Sequence, residues 1–302
     1  MQCRSGTGDR LYRGQEYHGI KTAVVTGASS GIGLVVAREL ARDGWRVIAQ
    51  GRDHARSEAA LAEIRSAAPE AQVDMIRADL SVMDKVDAFA SQVAASTDRI
   101  GLLVNNAGAT PSRRMETADG FEQTFAANHL AVFLLTHRLL PLLKAAAPGS
   151  QVITTASVAH KFIKDMKWDD LQQAQSFSAS DAYAQSKLAN ILFTREMAKR
   201  VKHDGIRVNC VHPGVVQTNF DSHGNLAVKL MYFLGKPLSL TPEQGADTIL
   251  LLAKGGAPNA TGQYLAKRKP AALSAAAQSE QGAARLWDIS KELTAKAGQT
   301  VG

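Results

Sequence analysis

Tyr183 and Lys187 stand four residues apart in the stretch Tyr183-Ala184-Gln185-Ser186-Lys187. On a helix that spacing puts a phenol and an ammonium on one face, a turn apart. A free phenol titrates at about 10, so bringing it to about 7 takes roughly 4 kcal/mol of differential stabilisation of the phenolate. A neighbouring ammonium supplies this in a dry site, and the phenol can then give and take a proton near neutral pH. The second chemistry-bearing stretch is Thr26-Gly27-Ala28-Ser29-Ser30-Gly31-Ile32-Gly33, a glycine-rich turn of the kind that receives a pyrophosphate. A phosphate cradle with a phenol beside a cation is the equipment of hydride transfer between a nicotinamide cofactor and a carbonyl. The residues point to an oxidoreductase.

Other residues fill out that chemistry. The glycine turn follows an apolar run at 22–26 and opens a helical stretch at 31–43. Gly27 permits the tight turn, Gly31 lets backbone approach phosphate, and Gly33 allows close packing of helix on strand. Ser29, Ser30 and Ile32 complete the turn, whose helix N-terminus offers amide donors and partial positive charge. A second run, 47–50, ends at Gly51-Arg52, where an acid for a ribose 2′-hydroxyl would otherwise stand. Exchanging a carboxylate for a guanidinium favours a 2′-phosphate and hence NADP(H); the alternative is a solvated loop arginine. Asp79-Leu80 follows a third run, where the carboxylate can accept from an adenine amino group, cap the helix starting near Val82, or do both. Asn105-Asn106-Ala107-Gly108 closes a fourth run with the small residues and amides that suit close passage of a cofactor. Ser157, just past a fifth run, is placed to hydrogen-bond a substrate oxygen and hold it against Tyr183.

These residues need a scaffold that brings strand ends together, and the pattern provides one. Short β-branched runs at 22–26, 47–50, 73–77, 102–105, 152–155 and 206–211, with a weaker one at 262–265, alternate with helical stretches at 31–43, 54–67, 82–97, 121–146 and 181–203. Strands apolar on both faces imply a parallel sheet covered on both sides. Right-handed crossovers then give an α/β fold with a single doubly wound, Rossmann-type parallel sheet. There is no linker-like break, so one domain is expected over residues 21–302, preceded by a polar, disordered arm at 1–20. Residues 219–240 are apolar but broken by Gly224, Gly235 and Pro237, and they read as a substrate lid or, alternatively, as a buried core helix. Thr241-Pro242-Glu243-Gln244 starts the next helix, with Thr as cap, Pro in the first turn and Gln in the box position.

Composition narrows the remaining classes. The most apolar stretch, from Leu130 to Leu143, contains His137, Arg138 and Pro141 and is shorter than the ~20 residues that span a bilayer, so no membrane span is expected. The charged residues near the start argue against a secretory signal. Cys3 and Cys210 read as free thiols of a reducing, cytoplasmic compartment rather than as a disulfide, and no metal-ligand spacing is present. The net charge of +7 comes from scattered basic residues with one dense cluster, Lys267-Arg268-Lys269, and aromatic residues are 6%. That pattern does not suggest nucleic acid and is accounted for by attraction of a phosphorylated cofactor.

On these motifs the chain resembles the short-chain dehydrogenase/reductase family from Lys21 to Leu293. The matches are T-G-x-x-x-G-I-G at Thr26–Gly33, N-N-A-G at Asn105–Gly108, Ser157, Y-x-x-x-K at Tyr183–Lys187 and P-G at Pro213-Gly214. The resemblance implies Ser157, Tyr183 and Lys187 as catalytic residues, with Asn128 as a fourth that holds a water linking Lys187 to solvent. It also implies Pro213, Gly214, Val216 and Thr218 as cofactor contacts, Thr218 at the nicotinamide carboxamide. Relatives pair through the helices equivalent to 121–146 and 181–203, so a homo-oligomer is expected.

A narrower resemblance, to the retinol-dehydrogenase-like branch, rests on Thr117-Ala118-Asp119-Gly120-Phe121-Glu122, Asn128-His129-Leu130, Gln185-Ser186-Lys187-Leu188-Ala189-Asn190 and Ala284-Arg285-Leu286-Trp287. The 26-residue step from Ser157 to Tyr183, with the insert Trp168-Asp169-Asp170-Leu171, is similar to that branch too. Two departures are Ala131 in place of a usual glycine and an N-terminus in which no membrane-anchoring helix, as many retinoid-acting members carry, is expected. The expectation is NADP(H)-dependent interconversion of a carbonyl and an alcohol on a mainly apolar small molecule. The alternatives are a biosynthetic ketoreductase for one specialised metabolite and a non-catalytic NADP-binding sensor.

Overall fold

The computed structural model describes residues 21–216 and 240–297. The expected arm at 1–20, Cys3, Thr218 and all of the expected lid except Leu240 lie outside the described residues.

Eight strands form one sheet: β1 (Thr22–Val25), β2 (Arg46–Gly51), β3 (Val73–Arg77), β4 (Leu102–Asn105), β5 (Gln151–Thr155), β6 (Arg207–His212), β7 (Tyr264–Ala266) and β8 (Lys269–Pro270). Their order is β3-β2-β1-β4-β5-β6-β7-β8, and all neighbours are parallel except β7 and β8. The antiparallel β8 is an addition to the expected parallel sheet. It is reached through Lys267 and Arg268, both at positive φ (48° and 66°).

Burial follows from strand alternation. Val24 of β1 packs into the core on one face, while Ala23 and Val25 pack into the core on the other. The Val24 face is covered by α3 (Met83–Ser96), α4 (Gln123–Ala145), α5 (Ala179–Arg200) and α8 (Glu280–Ala297). The opposite face is covered by α1 (Gly31–Arg42), α2 (His54–Ala67) and α6 (Pro242–Ala253). A short α7 (Ala275–Gln278) precedes α8.

Helix starts follow capping chemistry, with one correction. Thr241 and Gln244 form the expected capping box at α6. Asp79, however, does not cap α3. Its carboxylate accepts from the Ser81 amide (3.0 Å) and hydroxyl (2.7 Å), because it lies four residues ahead of Met83. The side chain at the cap position is Val82, which has no oxygen, so Asp119 reaches in from a distant loop and accepts from the Met83 amide at 2.8 Å.

Helix α4 runs further than the stretch from Leu130 to Leu143. By length and composition Gln123–Ala145 could cross a membrane, but 72% of its apolar window is buried inside the protein, as in a core helix. One turn of it, Ala126–Leu130, is π-helical. Helix α5 is buried almost all round from Ala182 to Ala198. Its outer side is occupied by α8, whose Trp287 stacks on Phe193 (centroids 6.0 Å, planes 10° apart) and meets Phe133 edge-on at 5.1 Å. The Arg200 guanidinium lies 4.2 Å from the Trp287 ring. Part of the surface of α4 and α5, the helices through which pairing is expected, is packed against α8.

Candidate active site

The strand order reverses between β1 and β4, and a crevice opens there at the carboxyl ends of the strands. It holds a cavity of about 690 Å³. Of the residues singled out from sequence, Gly27, Ser29, Ser30, Gly31, Ile32, Arg52, Asp79, Leu80, Asn106, Ala107, Gly108, Tyr183, Lys187, Pro213, Gly214 and Val216 line it. Gly33, Asn128 and Ser157 are buried and do not line it.

The glycine turn is locked from two sides. Thr26 Oγ1 accepts from the Asn106 and Ala107 amides at 2.9 and 3.0 Å, and Asn106 Nδ2 donates to the Thr26 carbonyl at 3.2 Å. This ties N-N-A-G to the turn across β1 and β4. Gly27 has φ +67°, and a Cβ there would stand 2.9 Å from Ala107 Cα. A Cβ on Gly33 would run into the Gly27 carbonyl oxygen. On the other side, Gln50 Oε1 accepts from the Gly27 amide (2.9 Å) while its Nε2 donates to the Ala78 carbonyl (2.7 Å). Sequence reasoning passed over Gln50; its signal was a lone amide closing an apolar run.

The start of α1 is prepared for an anion. Ser30 makes no side-chain cap, and there is no acid in the first turn, so the leading amides are left for a ligand. Arg52, Arg56, Arg113 and Lys187 contribute to the cavity wall against one carboxylate, Asp79. That imbalance gives the cavity a positive field. Arg56 and Arg113 were not singled out from sequence; the first lies four residues beyond Arg52, in the first turn of α2, which is where a signal could have been found.

At the other end of the crevice, α5 brings Tyr183 and Lys187 together. Lys187 is 3% exposed, its Nζ lies 5.4 Å from the Tyr183 ring centroid, and it donates to the Thr155 carbonyl at 3.1 Å. Burial pushes the lysine down to about 8. Ser157 Oγ accepts from the Ala159 amide at 3.2 Å, capping a 3₁₀ turn. Its own O–H keeps a donor with no acceptor among the described residues. His160 braces that serine: its Nδ1–H donates to the Ser157 carbonyl at 2.7 Å, and its Nε2 accepts from the Ser274 amide at 3.3 Å. Burial lowers the pKa of His160, keeping both bonds in the neutral tautomer they require.

Asn128 sits in the π-helical turn, fully buried. Its Oδ1 accepts from the Ala109 amide at 2.7 Å, and its Nδ2 donates to the Ala109 carbonyl (3.0 Å) and to Ser186 Oγ (3.1 Å). The side chain is spent on holding the loop after β4 to α5.

The large hydrophobic side chains most exposed among the described residues are Met115, Val158, Phe162 and Val215, at 42%, 37%, 65% and 44%. All four lie in segments that leave the carboxyl ends of β4, β5 and β6, the edge of the sheet where the crevice opens, and Met115 lines the cavity itself.

The family model for short chain dehydrogenases matches residues 21–227. The chain is 42% identical over 275 residues to retinol dehydrogenase 12 of Bos taurus, covering 90% of this chain and 86% of that protein. Among solved structures, an uncharacterized protein from Mycobacterium Paratuberculosis superposes with a TM-score of 0.71 at 33% identity, covering 91% of this chain and 93% of that one. A short chain dehydrogenase from Burkholderia cenocepacia J2315 in complex with NADP superposes with a TM-score of 0.66 at 25% identity, covering 82% and 95%.

Proposed function

Because this chain belongs to the short chain dehydrogenase family, in its retinol-dehydrogenase-like branch, we propose that it interconverts a carbonyl and an alcohol on a mainly apolar small molecule with NADP(H). Membership makes it an oxidoreductase of CH–OH groups that uses a nicotinamide cofactor. The observation that carries the reading is the buried Lys187 beside Tyr183 on one face of α5, both opening into the cavity built on the glycine turn.

The cofactor fits the residues present. The uncapped amides of α1 and the glycine turn would hold its pyrophosphate, Asp79 its adenine, and Lys187 its nicotinamide ribose. When bound it supplies the hydride that passes to or from the substrate carbon. Every other task falls to side chains. In reduction Tyr183 Oη gives its proton to the substrate oxygen, and in oxidation the tyrosinate takes it back. The Ser157 O–H, which finds no acceptor among the described residues, holds that oxygen against the tyrosine. Lys187 stabilises the tyrosinate through a dry, short-range field. The exposed apolar side chains Met115, Val158, Phe162 and Val215, on segments at the edge where the crevice opens, support an apolar substrate, whose hydrocarbon body they could meet while its polar end reaches Tyr183.

Arg52 and Arg56 support the phosphorylated cofactor: both face the cavity beside Gly51, and Arg56 shares its charge with Asp53 at 3.5 Å while Arg52 makes no such pair among the described residues. We therefore expect Arg52→Ala to raise KM for NADPH about tenfold, the worth of one solvent-exposed charge-assisted hydrogen bond. KM for NADH should stay where it is. Steady-state rates with both cofactors on a panel of apolar aldehydes and ketones test this. An equal effect on both cofactors would remove the argument for NADP(H), and a wild type that turns over no member of the panel would remove the proposed substrate class.

A further inference from the structure

Behind Lys187 lies a buried polar chain that the chemistry above does not use. Ser290 of α8 and His129 of the π-helical turn meet at 2.8 Å through Ser290 Oγ and His129 Nε2. His129 Nδ1 lies 3.4 Å from Asn190 Oδ1, and Asn190 Nδ2 donates to the Thr155 carbonyl at 3.3 Å. That carbonyl is the one that receives Lys187 Nζ at 3.1 Å. Lys187 and Asn190 are three apart on α5, so both can reach one acceptor at the end of β5.

The chain can run in only one sense. Asn190 Oδ1 has no proton to give, so His129 Nδ1 must carry the hydrogen. Nε2 is then a bare acceptor, and Ser290 must donate to it. Each donor points along the chain toward the Thr155 carbonyl. His129 and Ser290 are 0% exposed and Asn190 1%, so no water competes for these bonds. Burial pushes His129 down to about 4, so the imidazole stays neutral across the working range. Lys187 has no carboxylate partner among the described residues, and burial lowers its titration, so the carbonyl that receives its Nζ is what offsets that cost. Its position therefore depends on where the Thr155 carbonyl is held.

We propose that Asn190 and His129 are positioning residues for Lys187: with Ser290 they fix the Thr155 carbonyl, and through it the lysine that serves Tyr183. The proposal rests on Lys187 acting as described above. It assigns a role to the Asn128-His129 and Lys187-Asn190 parts of the branch motifs, and it makes α8 part of the catalytic half of the molecule.

The test compares Asn190→Leu, His129→Leu, His129→Gln and Ser290→Ala by steady-state kinetics, thermal melting and the pH titration of Lys187. The titration, read by NMR of 15N-labelled lysine, needs no turnover. Without Asn190 the carbonyl is free to swing off the ammonium, so Lys187 should titrate below the wild-type position of about 8. The kcat for carbonyl reduction should fall about 10- to 100-fold, the usual scale for removing an outer-layer partner, with a much smaller change in KM for NADPH. Glutamine at 129 keeps one donor and one acceptor and should restore most of what leucine loses. Melting temperatures that fall while the Lys187 titration and kcat hold would reduce the chain to a packing device and overturn the proposal. Should both leucine variants fail to fold, Ser290→Ala decides, since it removes a single hydroxyl: a shifted lysine titration supports the proposal and an unshifted one overturns it. A wild type without reductase activity would overturn the proposed function separately, while the titrations would still judge the positioning.

Discussion

Tyr183→Phe should lose about 10²- to 10⁴-fold in kcat, the contribution of a positioned proton donor, and should bind NADPH as the wild type does. The substitution removes one oxygen and leaves the ring that stands 5.4 Å from Lys187 Nζ. Nothing in the glycine turn, in Gln50 or in Thr26 depends on that oxygen. The loss should therefore appear in the chemical step and not in cofactor affinity. Titrating the cofactor into each protein and following single-turnover reduction separates the two. A variant that keeps more than a tenth of the wild-type rate would show that Tyr183 is not the proton donor.

Gly33→Ala is expected to abolish dinucleotide binding, a rise in Kd of at least ~100-fold, or about 2.8 kcal/mol. In a helix alanine is ordinarily better than glycine by ~1 kcal/mol, so propensity alone predicts a gain. Contact reverses the sign, because the new Cβ would occupy the place of the Gly27 carbonyl oxygen and stand 2.6 Å from Asn106 Nδ2. Neither atom can yield cheaply: Gly27 is held by Gln50, and Asn106 by Thr26. The turn must move, and with it the amides that face the cavity. Overpacking of this kind costs roughly 1–3 kcal/mol of stability. Gly44→Ala is the control, since a Cβ there meets nothing within 4 Å and only the positive φ of +78° is strained. Calorimetric titration with NADPH should show binding in the control and none at Gly33→Ala; equal affinities in the two would contradict the packing argument.

What could be read from sequence was what repeats or what sits at a fixed local spacing. The central parallel strands were visible because both faces are buried and their residues are apolar without alternation, as in the fully buried β1 and β4. Tyr183 and Lys187 were visible because a helix turns a spacing of four into a shared face. Strand β8 was not, since Lys269–Pro270 is exposed and carries no apolar signature; its place comes from a turn through two non-glycine residues at positive φ. Asp119 capping α3 could not be read, because its partner is 36 positions away. The Thr155 carbonyl was hidden for a deeper reason: a backbone oxygen has no residue type, so only the three-dimensional course of β5 puts it under Lys187. Gln50 was legible in principle, as a lone polar residue following the fully buried apolar run Val47-Ile48-Ala49.

The packing of α8 over α5 also constrains the order in which the protein can be completed. Synthesis is vectorial, so α5 leaves the ribosome with its aromatic side uncovered, and Trp287 arrives only after β6, α6 and β7 have been made. Until then Phe193 and Phe133 lack the ring that shields them, and a side chain of that size hides on the order of 150–250 Å². The catalytic helix should therefore remain open to chaperones and proteases throughout elongation and close only near its end. Ribosome-bound chains halted before residue 280 should be cut within α5 under mild proteolysis, whereas chains that include α8 should resist. Equal resistance in the two would mean that α5 finds its place on the sheet without its cover.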